Sequence, residues 1–148
     1  MFRFAVVVSR FNEEITEGLL RGALAFFAEQ SIPTEAVKIF RVPGAFEIPL
    51  VAKRLAESGD YDAIVCLGCL IKGDTMHFEY IADAASHGIA QAATSTGVPM
   101  AFGVLTTMTE AQAVERSGGG AGNKGREAAA AALEMAALFR HLDEGTAG

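Results

Sequence analysis

Ala63-Ile64-Val65-Cys66-Leu67-Gly68-Cys69-Leu70-Ile71 carries no charge along its whole length; Asp62 precedes it and Lys72-Gly73 follows. An apolar run of this kind, bounded by polar and turn residues, reads as a strand buried on both faces of a parallel sheet, over Asp62 to Ile71. The only two cysteines of the chain, Cys66 and Cys69, lie inside it as a C-x-x-C. A redox C-x-x-C stands at the start of a helix, where the thiolate is stabilised. In a strand, residues i and i+3 point to opposite faces, so a disulfide between them is geometrically poor. Two thiols also fall short of the four ligands of a structural zinc site. The pair reads as core packing.

Outward from this strand, Arg3–Ser9, Ala36–Val42 and Met100–Leu105 are runs of the same kind. Between them the apolar period lengthens to that of helices. Glu13–Gln30 places Ile15, Leu19, Ala23 and Phe26 or Phe27 on one face, with Asn12 as N-cap. Glu47–Ser58 and Phe78–Ser95 are the next two helices. A short one over Glu110–Arg116 follows the fourth strand. After Ser117-Gly118-Gly119-Gly120-Ala121-Gly122, a long Ala-rich helix runs from Lys124 to about Leu142, leaving 143–148 as a frayed tail. Strand–helix alternation with right-handed crossovers predicts a single α/β domain over 1–148, a three-layer α/β/α sandwich on a four-stranded parallel sheet.

The 148 residues are 51% hydrophobic and only 20% charged. That is ample for one core and leaves apolar surface for an oligomer to cover. Twelve Lys and Arg against eighteen Asp and Glu give a net charge of −6, with no basic stripe. Phosphate neutralisation by a nucleic-acid binder needs such a stripe, so that class is excluded. No apolar run approaches the roughly 20 residues of a membrane span, and Met1 to Val8 lacks the layout of a signal peptide. The expected location is the cytoplasm.

In an open parallel sheet, ligands bind outside the carboxyl ends of the strands. The segments leaving the four strands are Ser9 to Asn12, Val42 to Glu47, Gly68 to His77 and Phe102 to Thr107. They bring Phe11, Phe46, Glu47, Asp74, Thr75 and His77 to one edge, a mixture suited to a polar, ring-shaped molecule. Gly73-Asp74-Thr75 opens the helix that carries His77. A helix start is both a place for a capping side chain and an anion site, and both roles stay open for Asp74 and Thr75. A positive helix end favours a neutral imidazole at His77, which suits proton transfer; His87 and His141 read as surface histidines. Gly120-Ala121-Gly122-Asn123-Lys124-Gly125 is a literal G-x-G-x-x-G, but it follows a helix and no later strand completes a βαβ unit. It reads as a helix–helix junction, flanked by Arg116 and Lys124 as possible phosphate partners or as solvated charges.

Five blocks in order resemble the lumazine synthase family: Arg10-Phe11-Asn12; Val42-Pro43-Gly44-Ala45-Phe46-Glu47-Ile48-Pro49; Gly73-x-Thr75-x-His77-Phe78-Glu79; Phe102-Gly103-Val104-Leu105-Thr106; and Glu115-Arg116…Gly122-Asn123-Lys124-Gly125, with Glu127 and Glu134-Met135 continuing the match. The resemblance implies a flavodoxin-like fold and a transferase of riboflavin biosynthesis. It condenses 5-amino-6-(D-ribitylamino)uracil with L-3,4-dihydroxy-2-butanone 4-phosphate to 6,7-dimethyl-8-ribityllumazine, phosphate and water, with no cofactor and no metal. It further implies that the pyrimidine stacks on Phe11. Ala45, Phe46, Glu47 and the backbone of Cys69, Leu70 and Ile71 hold the ribityl and ring groups. Asp74, Thr75 and Arg116 bind the phosphate with help from Lys124, Phe102 closes the pocket from a neighbouring subunit, and His77 carries the proton.

In this family the subunits form homopentamers with active sites between subunits, some closed into sixty-subunit icosahedral shells, and riboflavin synthase is the candidate partner. Lys72 stands where the family usually has Arg, which keeps charge but loses bidentate geometry. The junction Ser117 to Gly120 is richer in glycine than usual. The chain starts directly at its first strand, where many relatives carry a further stretch that adds a strand to the neighbour's sheet, while its Gly-x-Gly-Asn-Lys-Gly junction resembles that of shell-forming members; the resemblance implies at least a pentamer and leaves the shell open. The alternative reading is a non-catalytic flavodoxin-like module that binds flavin or lumazine; a sibling is the archaeal-type riboflavin synthase, which consumes lumazine.

Overall fold

The four apolar runs pair as β1 (Phe4–Ser9), β2 (Val37–Val42), β3 (Ala63–Ile71) and β4 (Met100–Thr107). The computed structural model describes residues 1–73 and 76–147, the last two of these without side chains. Every pairing is parallel and the order is β2-β1-β3-β4. This is the flavodoxin-like arrangement, in which the connections reverse direction between β1 and β3. The strands are joined and covered by α1 (Glu13–Glu29), α2 (Ile48–Glu57), α3 (Phe78–Thr96), α4 (Glu110–Ser117) and α5 (Lys124–Ala147).

Alternation along the two central strands builds both outer layers. Phe4, Val6 and Val8 of β1, with Val65, Leu67 and Cys69 of β3, pack under α1, α4 and α5. Ala5 and Val7, with Ile64, Cys66 and Leu70, pack under α2 and α3. All residues of β1 and β3 are buried, as a two-sided strand requires. On α1 the face is Ile15, Leu19, Ala23 and Phe27 rather than Phe26. The Phe27 ring stacks on Phe4 at 4.5 Å, and burying each of these rings contributes about 1.5–3 kcal/mol. Cys66 and Cys69 fall in opposite layers and form no disulfide. Burial pushes the Cys66 thiol up to about 12, so it stays protonated and inert.

Most element boundaries lie within one residue of the sequence reading; two extend further and one changes the kind of turn. β4 runs to Thr107, because the Lys72 N–H donates to the Thr107 carbonyl at 2.9 Å and prolongs the ladder. α5 continues to Ala147 instead of stopping near Leu142, since nothing after Leu142 forbids helix apart from the weak propensity of Gly145. Glu47 ends a 3₁₀ turn, Ala45–Glu47, rather than opening the helix. Pro49 is accommodated in the first turn of α2, where its missing N–H has no helical partner to lose. Among the described residues, no helix is long and apolar enough to cross a membrane.

Candidate active site

The carboxyl ends of the strands are tied into a continuous rim. Arg10 and Phe11, leaving β1, donate their N–H groups to the carbonyls of Val42 and Pro43 at 2.8 and 3.1 Å, which fixes the β1 exit to the β2 exit. Across the switch point, the Asn12 side chain donates to the Cys69 carbonyl at 3.1 Å and joins β1 to β3. The Lys72–Thr107 bond then joins β3 to β4. Asn12 stands at the N-cap position of α1, yet its side chain makes no cap bond. Its backbone is left-handed, with φ 60° and ψ 52°, a conformation that asparagine tolerates better than most residues. That turn sends the side chain back over the sheet edge, while its carbonyl accepts from the N–H groups of Ile15 and Thr16.

On this rim Phe11 is 45% exposed and Phe46 62% exposed. Large rings left in water beside a tied backbone offer stacking surface. Ala45 is buried and Glu47 half-buried, with the Glu47 carboxylate packed over Gly44, 3.3 Å from where a Cβ would stand. The side chains of Cys69, Leu70 and Ile71 are buried, so only their backbone is available to a ligand. His77 is exposed at the N-cap position of α3, one residue ahead of the helix in which sequence placed it. Its carbonyl accepts from Ile81 at 2.9 Å, and its ring lies 6.2 Å from Tyr80. Asp74 and Thr75 lie outside the described residues. His87 and His141 are exposed on helices.

Phe102 and Lys124 come together elsewhere. β4 is an edge strand, three strand spacings or roughly 14 Å from β2, and Phe102 on it is 48% exposed. Phe102, Lys124 and Glu127 line a cavity of about 230 Å³ between β4 and α5. Lys124 Nζ pairs there with Glu127 Oε2 at 2.9 Å. Arg116 is exposed in the last turn of α4. The predicted residues thus divide into a group at the β1–β2–β3 exits and a group at the β4–α5 edge.

In the sequence Asn12 reads only as a cap, and Asn123 carries no role of its own. Asn123 is 3% exposed and fully engaged in hydrogen bonds. Ser9, at the end of β1, is 2% exposed, and its hydroxyl has no partner among the described residues. The only local signal for Asn123 was its place between Gly122 and Gly125.

The family model for 6,7-dimethyl-8-ribityllumazine synthase matches residues 1–140. A protein of Caulobacter vibrioides named 6,7-dimethyl-8-ribityllumazine synthase 1 is 52% identical over 142 residues, covering 96% of this chain and 93% of that protein. A 6,7-dimethyl-8-ribityllumazine synthase of Chloroherpeton thalassium is 51% identical over 140 residues, covering 95% and 90%. With a match over residues 1–140, which spans both groups of candidate residues and the whole sheet, the chain belongs to the 6,7-dimethyl-8-ribityllumazine synthase family.

Proposed function

We propose that this chain condenses 5-amino-6-(D-ribitylamino)uracil with L-3,4-dihydroxy-2-butanone 4-phosphate, releasing 6,7-dimethyl-8-ribityllumazine, phosphate and water. The observation that carries the reading is the family match over 1–140, which includes the exposed rings Phe11 and Phe46 on the rim. In this reading the pyrimidine stacks on Phe11. Ala45, Phe46, Glu47 and the backbone of Cys69 to Ile71 hold its polar groups. Asp74, Thr75 and Arg116 take the phosphate, assisted by Lys124. The amine adds to the ketone, a Schiff base forms, phosphate is eliminated and the ring closes.

These steps call for proton transfer near neutrality and for charge to receive a departing dianion. His77, solvent-accessible at a helix start, serves the first need, and Arg116 and Lys124 serve the second. Holding two reactants side by side supplies much of the rate. The His77→Ala variant should therefore slow turnover by on the order of a hundredfold without abolishing it.

The separation of Phe102 and Lys124 from Phe11 and Phe46 supports a site completed by a second copy of the chain. A contact in which one surface patch meets a different one closes into a ring when the rotation between copies divides a full turn, and we assign a cytoplasmic homopentamer of one-domain subunits. Its product passes to riboflavin synthase. Mixing the two substrates with the protein and following lumazine absorbance and fluorescence tests the function. Sedimentation tests the ring. A protein that binds lumazine but forms none from the substrates is the flavin-binding module instead.

A further inference from the structure

We propose that the Asn123 carboxamide is a positioning residue that sets the spacing between Arg116 and Lys124, and so the geometry of the phosphate site; this rests on the function proposed above. The amide joins three segments. Asn123 Nδ2 donates to the carbonyls of Ser117 and Gly118, at 3.1 and 2.9 Å, at the end of α4. It donates also to the carbonyl of Gly18 on α1, at 3.0 Å. Oδ1 accepts from the N–H groups of Gly125 and Arg126, at 2.8 and 3.0 Å, in the first turn of α5. Every donor and acceptor of the side chain is in use. Arg116 precedes Ser117 and Lys124 follows Asn123, so both cations hang from backbone that this one amide grips.

The connection itself is unsuited to fixing that spacing. A Cβ added at Gly119, Gly120 or Gly122 would meet nothing within 4 Å, and glycines free of contacts leave the backbone many conformations. The grip is tight on the α1 side. A Cβ at Gly22 would strike Asn123 Oδ1, one at Gly18 would come within 2.5 Å of the Ser117 carbonyl, and one at Gly125 would strike the Leu19 carbonyl. Three missing side chains therefore let α1, α4 and α5 close around the amide. The bare loop only closes the chain.

Steady-state kinetics with each substrate varied in turn tests this assignment. For Asn123→Ala, the KM for butanone phosphate should rise about tenfold or more, while the KM for the ribitylaminouracil stays within about twofold. The inhibition constant of inorganic phosphate should rise with the former. Inserting one glycine between Gly119 and Gly120 should leave both KM values unchanged, because the grip spans the loop. Equal rises in both KM values for Asn123→Ala would mean a merely structural residue and overturn the proposal. So would a glycine insertion that raises the butanone phosphate KM. If Asn123→Ala does not fold, the insertion decides alone. Wild-type turnover is measured first: no lumazine from the wild type defeats the function reading, whereas turnover with uniform KM changes defeats only the positioning role.

Discussion

Asn123 and Ser9 are both polar, both almost wholly buried, and opposite in every other respect. Asn123 satisfies its amide completely and binds three helices together. The Ser9 hydroxyl lies over Gly68, 3.1 Å from where a Cβ there would stand, with no hydrogen-bond partner among the described residues. A satisfied buried network specifies geometry, while an unsatisfied group only costs desolvation. Burial by itself therefore says little about what a polar residue contributes. What matters is how many elements it connects.

The hardest blow to that contrast is Gly22→Ala, whose methyl group must displace the Asn123 side chain. Overpacking and orphaned amide partners together should cost about 3 kcal/mol, against a few tenths for Gly119→Ala, read as urea midpoints. Equal midpoints would show that the amide joins nothing of consequence.

Cys66 sharpens the Ser9 side, since it lies buried in the same layer with burial as the cause of its raised thiol pKa. The unfolded chain ionises this thiol at 9.0 and the folded chain at about 12. The stabilisation is whole below pH 9 and is lost as pH rises between those values, by about 1.4 kcal/mol per pH unit. A Cys66→Ala variant measured against wild type by alkaline denaturation should show a shallower fall. Identical slopes would mean that the thiol is wetter than its burial implies.

Asn12 stands between the extremes, with a left-handed backbone and its bond to the Cys69 carbonyl. Asn12→Ala should lose about 2 kcal/mol and Asn12→Gly about 1, because glycine keeps the backbone and sacrifices only the side-chain bond. The reverse order in thermal melts would place the contribution elsewhere. Smallest is Ser9→Ala, expected to stabilise by about 1 kcal/mol, since it removes a buried polar group that lacks a partner. A loss of stability there would reveal a bond that the hydroxyl makes in solution.

Much of the fold was legible because its signals are local. Ala63 to Ile71 announces a two-sided strand by lacking charge, and α1 announces its buried face by the spacing of Ile15, Leu19 and Ala23. The exits of parallel strands then predict the rim with Phe11, Phe46 and Glu47. Asn123 was not legible because its partner Gly18 lies 105 residues away, and a contact of that range leaves no periodic trace. Asn12 takes the N-cap position that the sequence gives it, but the destination of its side chain was not legible, because N-cap statistics presume a side chain turned toward its own helix. Here the left-handed turn sends it to a neighbouring strand. The division of the candidate residues into two groups follows from strand order, which a list of motifs does not contain.

The two edges of the sheet differ in one more way. β2 carries exposed Lys38 and Arg41 along its free edge, charges that discourage another strand from adding there. β4 spans Met100 to Thr107 without a single charge and exposes Phe102. A lone subunit therefore presents an uncharged, β-prone stretch to its surroundings, the composition from which insoluble strand-to-strand aggregates grow. Recovery of soluble protein on dilution or refolding should hinge on how quickly that edge is covered.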